Sequence, residues 1–242
     1  MWLMPSRKSE IVTIAVGREH IYCSKLLQTK NSFPLSVIAQ KTYTLPDHAI
    51  GPLTIYNPTA ITQAIRSFLT EHDAQHARVA IALSPPQIKS TITLQSLTQQ
   101  KPYHGFEDLR QGWDWQYQYL YPEEEKEEEG FLYYACGMPY TLRFQWHLMA
   151  VQTPFNLVTL TSGSMALFAL YEAINKSTFR RSKFAESMRK HNNIITRLFS
   201  HDTQGTMHRI VINNITKTPT PQAERLPLLI NCGLFISELE GQ

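Results

Sequence analysis

Cysteine and long apolar runs are scarce in this sequence of 242 residues. The three cysteines, Cys23, Cys136 and Cys232, lie far apart without metal-ligand spacing, each in an apolar stretch. This pattern predicts buried free thiols and a reducing compartment. No apolar run approaches the roughly 18 residues of a membrane span, and the run at 11–16 is too short for a signal peptide. The sequence therefore predicts a cytoplasmic protein.

Strong charge and catalytic motifs are also missing. The chain has 23 Lys and Arg against 20 Asp and Glu, and this net charge of +3 does not indicate nucleic-acid binding. Neither Ser84 nor Ser164 lies in the Gly-x-Ser-x-Gly frame of a hydrolase nucleophile. Four histidines were considered as metal ligands or general bases, but they lie far apart and lack the spacing of metal ligands. They are His20, His147, His191 and His208. We predict no metal, no cofactor and no catalytic residue, and hence no enzyme.

Short apolar runs between turn residues are abundant, and a chain with 43% hydrophobic residues can bury a sizeable core. The stretch 11–27 predicts two strands around Gly17, and 36–43 predicts a third strand. The run 78–83, Arg-Val-Ala-Ile-Ala-Leu, is typical of a fully buried strand. Residues 89–94 then predict a return strand that pairs with it.

Helix signals lie between these strands. Asn57 is a predicted N-cap and Pro58 a predicted first helical residue. Either Ser162 or Ser164 caps a helix that follows, and Gly233 permits close packing of the last helix. Further helices are predicted at 140–152, 165–174 and 228–239, further strands at 157–160 and 209–213, and a Pro/Thr-rich linker at 216–227.

The stretch 113–121 alternates aromatic and other residues, so one face of a predicted strand is aromatic. Residues 131–136 predict its hairpin partner, and the six glutamates and one lysine at 123–129 predict a solvated acidic tip or a grip for a basic partner. The aromatic face is either the core of a small sheet or a docking surface, because Trp and Tyr are favoured at binding hot spots. The docking candidates are Trp113, Trp115, Tyr117 and Tyr121.

The stretch 176–197 carries seven Lys and Arg against one acid, Glu186, with apolar residues along one face. It predicts a basic amphipathic helix. Its basic face is either simply solvated or directed at an anionic membrane surface. The stretch does not show the interleaving of basic and aromatic residues that would favour stacking on nucleic-acid bases. The membrane-facing candidates are Arg180, Arg181, Lys183, Arg189 and Lys190.

Three stretches in order resemble the PilM family, the actin-like cytosolic proteins of type IV pilus and competence machinery that are related to the division protein FtsA. They are 57–83, the strand and Ala/Leu-rich helix of 155–174, and the segments 209–214 and 228–241. The resemblance implies an actin-like (ribonuclease H-like) α/β fold with an inserted small α+β subdomain and a truncated second half. The implied divisions are 9–77 for the first actin-like subdomain, 78–160 for the insert with the aromatic hairpin, and 161–242 for the return helix, basic helix and closing strand and helix.

The nucleotide-binding residues of that family are replaced in this sequence. Ala15 stands where the family has the Asp that organises the metal, and Arg18 stands after Gly17 where the family has Ser or Thr. Asn213 and Asn214 stand where the family has a glycine pair. A phosphate site needs close backbone N–H donors and a carboxylate for the metal. The resemblance therefore implies a vestigial nucleotide site, a pseudo-ATPase without cofactor.

The resemblance implies a non-catalytic adaptor or scaffold at the cytoplasmic face of the inner membrane, in a pilus or DNA-uptake assembly. The implied partner is the cytosolic N-terminal tail of a single-span membrane protein, PilN, bound between the first subdomain and the insert. Two alternatives stay open: a nucleotide-dependent actin-like ATPase switch, which the missing Asp and Gly residues oppose, and an unrelated aromatic-rich protein- or ligand-binding module.

Overall fold

The computed structural model describes residues 10–28, 35–95, 112–120, 131–153, 155–176 and 220–240. This part of the chain forms eight strands and four helices. In chain order they are β1 (Ile11–Val16), β2 (His20–Gln28), β3 (Leu35–Thr44), α1 (Pro58–Glu71), β4 (Arg78–Leu83), β5 (Lys89–Gln95), β6 (Trp113–Leu120), β7 (Phe131–Pro139), α2 (Tyr140–Gln152), β8 (Asn156–Ser162), α3 (Gly163–Lys176) and α4 (Gln222–Glu240).

The main sheet contains five strands in the order β3-β2-β1-β4-β8. β1 is antiparallel to β2 and parallel to β4, and β4 is parallel to β8. Every residue of β1 is buried, as its β-branched composition predicts for a central strand covered on both faces. The predicted turn around Gly17 is confirmed, since its N–H donates to the carbonyl of His20 over 2.9 Å.

A second sheet contains three strands in the order β5-β7-β6, all antiparallel. The predicted pairing of 113–121 with 131–136 is confirmed for residues 113–120, and Tyr121 lies outside the described residues. The predicted return of 89–94 against 78–83 is wrong, because β5 pairs with β7 instead. The physical reason is that β4 already has β1 on one side and β8 on the other, so neither of its edges is open to β5.

The caps of two helices follow the sequence predictions. Asn57 Oδ1 accepts a hydrogen bond from the Ala60 N–H over 3.0 Å, which confirms the N-cap of α1. At α3 the Met165 N–H donates to Ser162 Oγ over 3.1 Å, so Ser162 rather than Ser164 is the cap. The extent of α2 matches the predicted helix at 140–152.

Helix α4 begins earlier than predicted, so the linker prediction is wrong for residues 222–227. Pro227 lies within α4, near its start. A proline removes one intrahelical donor, but the residues after it, from Leu228 to Ile236, are almost all buried in the core. This burial outweighs the lost hydrogen bond, which explains why Pro227 lies inside α4 and does not mark the start of the helix.

The three thiols Cys23, Cys136 and Cys232 are free and buried, as predicted.

β4 and β8 both belong to the main sheet, and the chain between them supplies the three-stranded sheet and α2. The three-part division at 9–77, 78–160 and 161–242 stays a prediction. No helix in the described ranges is long and apolar enough to cross a membrane.

Several predicted features lie outside the described residues. They are the acidic tip at 123–129, the basic helix at 176–197 beyond Lys176, and the strand at 209–213.

Candidate partner-binding site

The carboxyl ends of the parallel strands β1, β4 and β8 meet at one edge of the main sheet, where the predicted vestigial nucleotide site begins with Ala15. Ala15, near the end of β1, is buried with 3% exposure, and its methyl group offers no ligand for a metal. Gly17 and exposed Arg18 form the turn that follows. Within the described ranges no group of three or more His, Cys, Asp or Glu could hold a metal. Asn213 and Asn214 lie outside the described residues.

Hydroxyl groups occupy the neighbouring region at the start of α3. The Tyr134 hydroxyl donates to Ser164 Oγ over 2.5 Å, and Ser164 Oγ lies 3.1 Å from Ser162 Oγ. Burial raises the pKa of Tyr134, and the hydrogen bond to Ser164 opposes this effect. A tyrosine with a raised pKa stays protonated at neutral pH, so this cluster positions β7 against α3 and supplies no base.

A second polar contact joins the two sheets. Gln116 of β6 accepts a hydrogen bond from Thr161 Oγ1 over 2.8 Å, and its Nε2 donates to the Leu160 carbonyl over 3.4 Å. The Cys136 thiol donates to the same Gln116 oxygen over 3.9 Å. Burial raises the pKa of Cys136 to about 11, so the thiol is a neutral donor. Side chains of β6 and β7 thus hold the small sheet against β8.

The aromatic candidates of β6 share one face, as predicted. Trp113 is only 8% exposed, and Trp115 and Tyr117 are half-buried. The rings of Trp113 and Trp115 stack with centroids 6.1 Å apart. A Cβ on Gly137 would lie 2.7 Å from the Trp115 ring, so the glycine makes room for this indole. These contacts favour the core interpretation for the two tryptophans, and Tyr121 lies outside the described residues.

The most exposed apolar side chains of α2 are a feature that the sequence analysis did not single out. Tyr140, Phe144, Leu148 and Val151 are 42–79% exposed. Their spacing of i, i+4, i+8 and i+11 places them in one stripe along the helix. The core side of α2 is formed by Leu142, Trp146, Met149 and Ala150. Apolar residues on two faces of one helix are the signal that could have revealed this stripe.

The loop before α1 lies beside this stripe. Gln145 Oε1 accepts a hydrogen bond from the Ile55 N–H over 2.8 Å, and Thr141 Oγ1 donates to the Leu53 carbonyl over 3.4 Å. These bonds hold the loop backbone at Leu53 and Ile55 against α2, and the loop residues Leu53 and Tyr56 have exposed side chains. We call the following set the α2 patch: Leu53, Tyr56, Tyr140, Phe144, Leu148 and Val151.

The larger sheet, its insert of a second sheet, and the paired helices α3 and α4 define an actin-like, ribonuclease H-like α/β fold. The predicted fold class is therefore confirmed. No protein-family model and no curated protein sequence matches the chain.

Among solved structures, the chain is similar to the PilM-PilN type IV pilus biogenesis complex, with a TM-score of 0.50 and 13% identity over 94% of this chain and 87% of that chain. Two further similarities are too distant to carry an argument. Thermus thermophilus RuvC has a TM-score of 0.44 and 10% identity over 96% of both chains. The cytoplasmic domain of EpsL, an inner-membrane component of the type II secretion system of Vibrio cholerae, has a TM-score of 0.38 and 12% identity over 65% of this chain and 59% of that chain.

Proposed function

We propose that this chain is a non-catalytic adaptor of a type IV pilus or DNA-uptake assembly platform, at the cytoplasmic face of the inner membrane. Its partner is the cytosolic N-terminal tail of a PilN-like single-span membrane protein. The observation that carries the proposal is the match over nearly the whole chain to the fold of the PilM-PilN complex. At this level of identity the match concerns the fold, and the partner is inferred by analogy.

The proposed site for the tail is the aromatic face and edge of β6. β6 is the last strand in the order β5-β7-β6 of the small sheet as described. An extended peptide can add to a strand at a sheet edge, and half-buried rings can form pockets for its apolar side chains. Tyr117 is suited to this role because it is half-buried on the aromatic face. Trp113 and Trp115 lie beside it on β6, and Tyr121, outside the described residues, is the next candidate in the sequence alternation.

The experiment is calorimetric titration of the full chain with a peptide of the PilN-like tail encoded in the same gene neighbourhood. We expect Tyr117→Ala and Tyr121→Ala to weaken binding by about 30-fold, equivalent to about 2 kcal/mol for a central hot spot. The melting temperature of Tyr117→Ala should stay within a few degrees of the wild type, since Tyr117 is only half-buried. Ile38→Ala, an exposed apolar residue on β3, is the matched control.

Normal binding of the tail peptide by both variants would show that the tail does not bind at β6. Early melting of both variants would assign the aromatic face to the core, and Trp115→Ala should then cost roughly 3–5 kcal/mol of stability. If the wild-type chain binds no tail peptide at all, the adaptor function itself is wrong.

The non-catalytic part of the proposal predicts no productive ATP site. Ala15 supplies no carboxylate for Mg²⁺, and Asn213-Asn214 replaces the glycine pair that would approach the phosphates. Calorimetry with Mg-ATP should show no binding tighter than roughly millimolar, or about −4 kcal/mol. Ala15→Asp should not restore binding on its own, because the other phosphate contacts are still missing. A micromolar dissociation constant for the wild type would favour the nucleotide-switch alternative.

A further inference from the structure

The α2 patch is large for the surface of a monomer. Its six side chains are 42–79% exposed. With roughly 200 Å² on a large side chain, they offer on the order of 600 Å² of apolar surface per copy. This is the upper end of the roughly 300–600 Å² that the largest apolar patch of a typical monomer covers, and such patches are often interaction sites. We infer that the α2 patch is a self-association surface through which two copies of this chain form a dimer.

The charges around the patch favour a second copy over a charged partner. α2 contains one permanently charged side chain, Arg143, and Asp114 of β6 already pairs with it. The patch itself is uncharged, so it presents no complementary charge to an acidic or basic peptide or to an anionic membrane. Two identical patches meet without like-charge repulsion, because the Arg143–Asp114 pair is neutral within each copy.

The area of the patch agrees with the requirement for a dimer. Two copies joined through it would bury on the order of 1,200 Å² in total, at the lower end of the range for specific protein interfaces. Interfaces at this end of the range are typical of weak, transient associations, so we expect a reversible dimer. A short peptide tail alone would leave much of the patch in water.

The geometry of α2 suits an isologous contact. Tyr140, Phe144 and Leu148 form a ridge at i±4 spacing, and such ridges interdigitate when two helices pack. A two-fold axis near the middle of the ridge would place Phe144 of each copy against the α2 helix of the other. Leu53 and Tyr56 would then cover the sides of the contact. This inference is independent of the proposed function, since it uses α2 and not the aromatic face of β6.

The test is sedimentation equilibrium of the full chain from about 1 to 100 µM. We expect the wild type to show a monomer–dimer equilibrium in this range, and Phe144→Asp to raise the dissociation constant at least 30-fold. Ile38→Asp is the matched control, because Ile38 is 54% exposed but lies on β3 outside the patch. Its dissociation constant should equal that of the wild type. Both variants should keep the wild-type melting temperature, since both side chains are exposed.

Cross-linking provides a second measurement that does not depend on a disruptive charge. The three natural thiols are buried. A bismaleimide reagent should therefore join two copies of Phe144→Cys and leave two copies of Ile38→Cys unjoined.

A wild type that is monomeric at 100 µM, or equal effects of Phe144→Asp and Ile38→Asp, would overturn the inference. If the wild type is monomeric and Phe144→Asp weakens binding to the tail peptide or to anionic vesicles, the patch belongs to that occupant and the dimer is again excluded. Weaker tail binding by Tyr117→Ala with an intact dimer would leave both assignments in place.

Discussion

At the scale of single residues, the contact between α3 and α4 depends on Gly233. A Cβ at this position would lie 1.8 Å from the carbonyl oxygen of Ala166 and 2.5 Å from its carbonyl carbon. Both are backbone atoms, so no side-chain rotation can relieve the overlap. The two helices can therefore pack this closely only while position 233 has no side chain.

We expect Gly233→Ala to destabilise the chain by about 2–4 kcal/mol, because α4 must move away from α3 and lose core contacts. Urea unfolding followed by circular dichroism measures this change. Gly17→Ala is the matched control, since the nearest atom to its Cβ would be the His20 oxygen at 3.4 Å, and it should cost about 1 kcal/mol or less. Equal midpoints for Gly233→Ala and wild type would contradict the packing described above.

At the scale of elements, α4 is fixed to the main sheet by polar contacts at both ends of its buried stretch. Asn231 Nδ2 donates to the Tyr22 carbonyl over 3.0 Å and to Ser24 Oγ over 2.9 Å. Glu238 pairs with Arg78 at the start of β4. These contacts join residues more than 150 positions apart in sequence. They place the end of the chain against its first strands, which no local pattern could predict.

The predicted basic helix at 176–197 allows a prediction at the same scale, although it lies beyond the described residues. Its formal charge is +6, from seven Lys and Arg less Glu186. Each charge near an anionic surface contributes about 1 kcal/mol at most, and salt screens it. Co-sedimentation with vesicles should therefore rise with the anionic lipid fraction and fall with salt.

Replacement of Arg180, Arg181 and Lys183 by Gln should reduce this binding at least tenfold. Replacement of Lys89, Lys41 and Arg66 by Gln keeps the same change in net charge and should have a smaller effect. Vesicle binding that ignores both lipid charge and salt would show that the basic face is merely solvated.

At the scale of the whole molecule, burial of the thiols links stability to pH. Burial raises the pKa of Cys136 from its usual value near 9 to about 11, and it also raises those of Cys23 and Cys232. Between these values the unfolded chain has released protons that the folded chain still holds. Stability is therefore fully present below about pH 9 and falls as the pH rises further.

We expect urea unfolding to show a loss of about 2–3 kcal/mol from Cys136 alone between pH 9 and pH 11. Cys136→Ala will start from a lower stability because of its cavity, so the informative quantity is the slope of stability against pH. This slope should be smaller by about one proton than in the wild type. A slope that is unchanged in Cys136→Ala would show that the thiol ionises equally in both states.

Local sequence determined much of this protein. The Asn57-Pro58 helix start, the limits of α2, the buried β1 and β4 strands and the aromatic hairpin all follow from caps, periodicity and β-branched runs, because these signals act over a few neighbouring residues. Other features depended on tertiary contacts. β5 does not pair with β4, because β1 and β8 occupy both edges of β4. α4 continued through Pro227 because the residues after it were buried in the core. Apolar periodicity could not choose which face of α2 would be covered, since that depends on which surfaces the rest of the chain brings to it. Tertiary packing therefore determined the α2 patch, because it buried Trp146 and left Phe144 exposed.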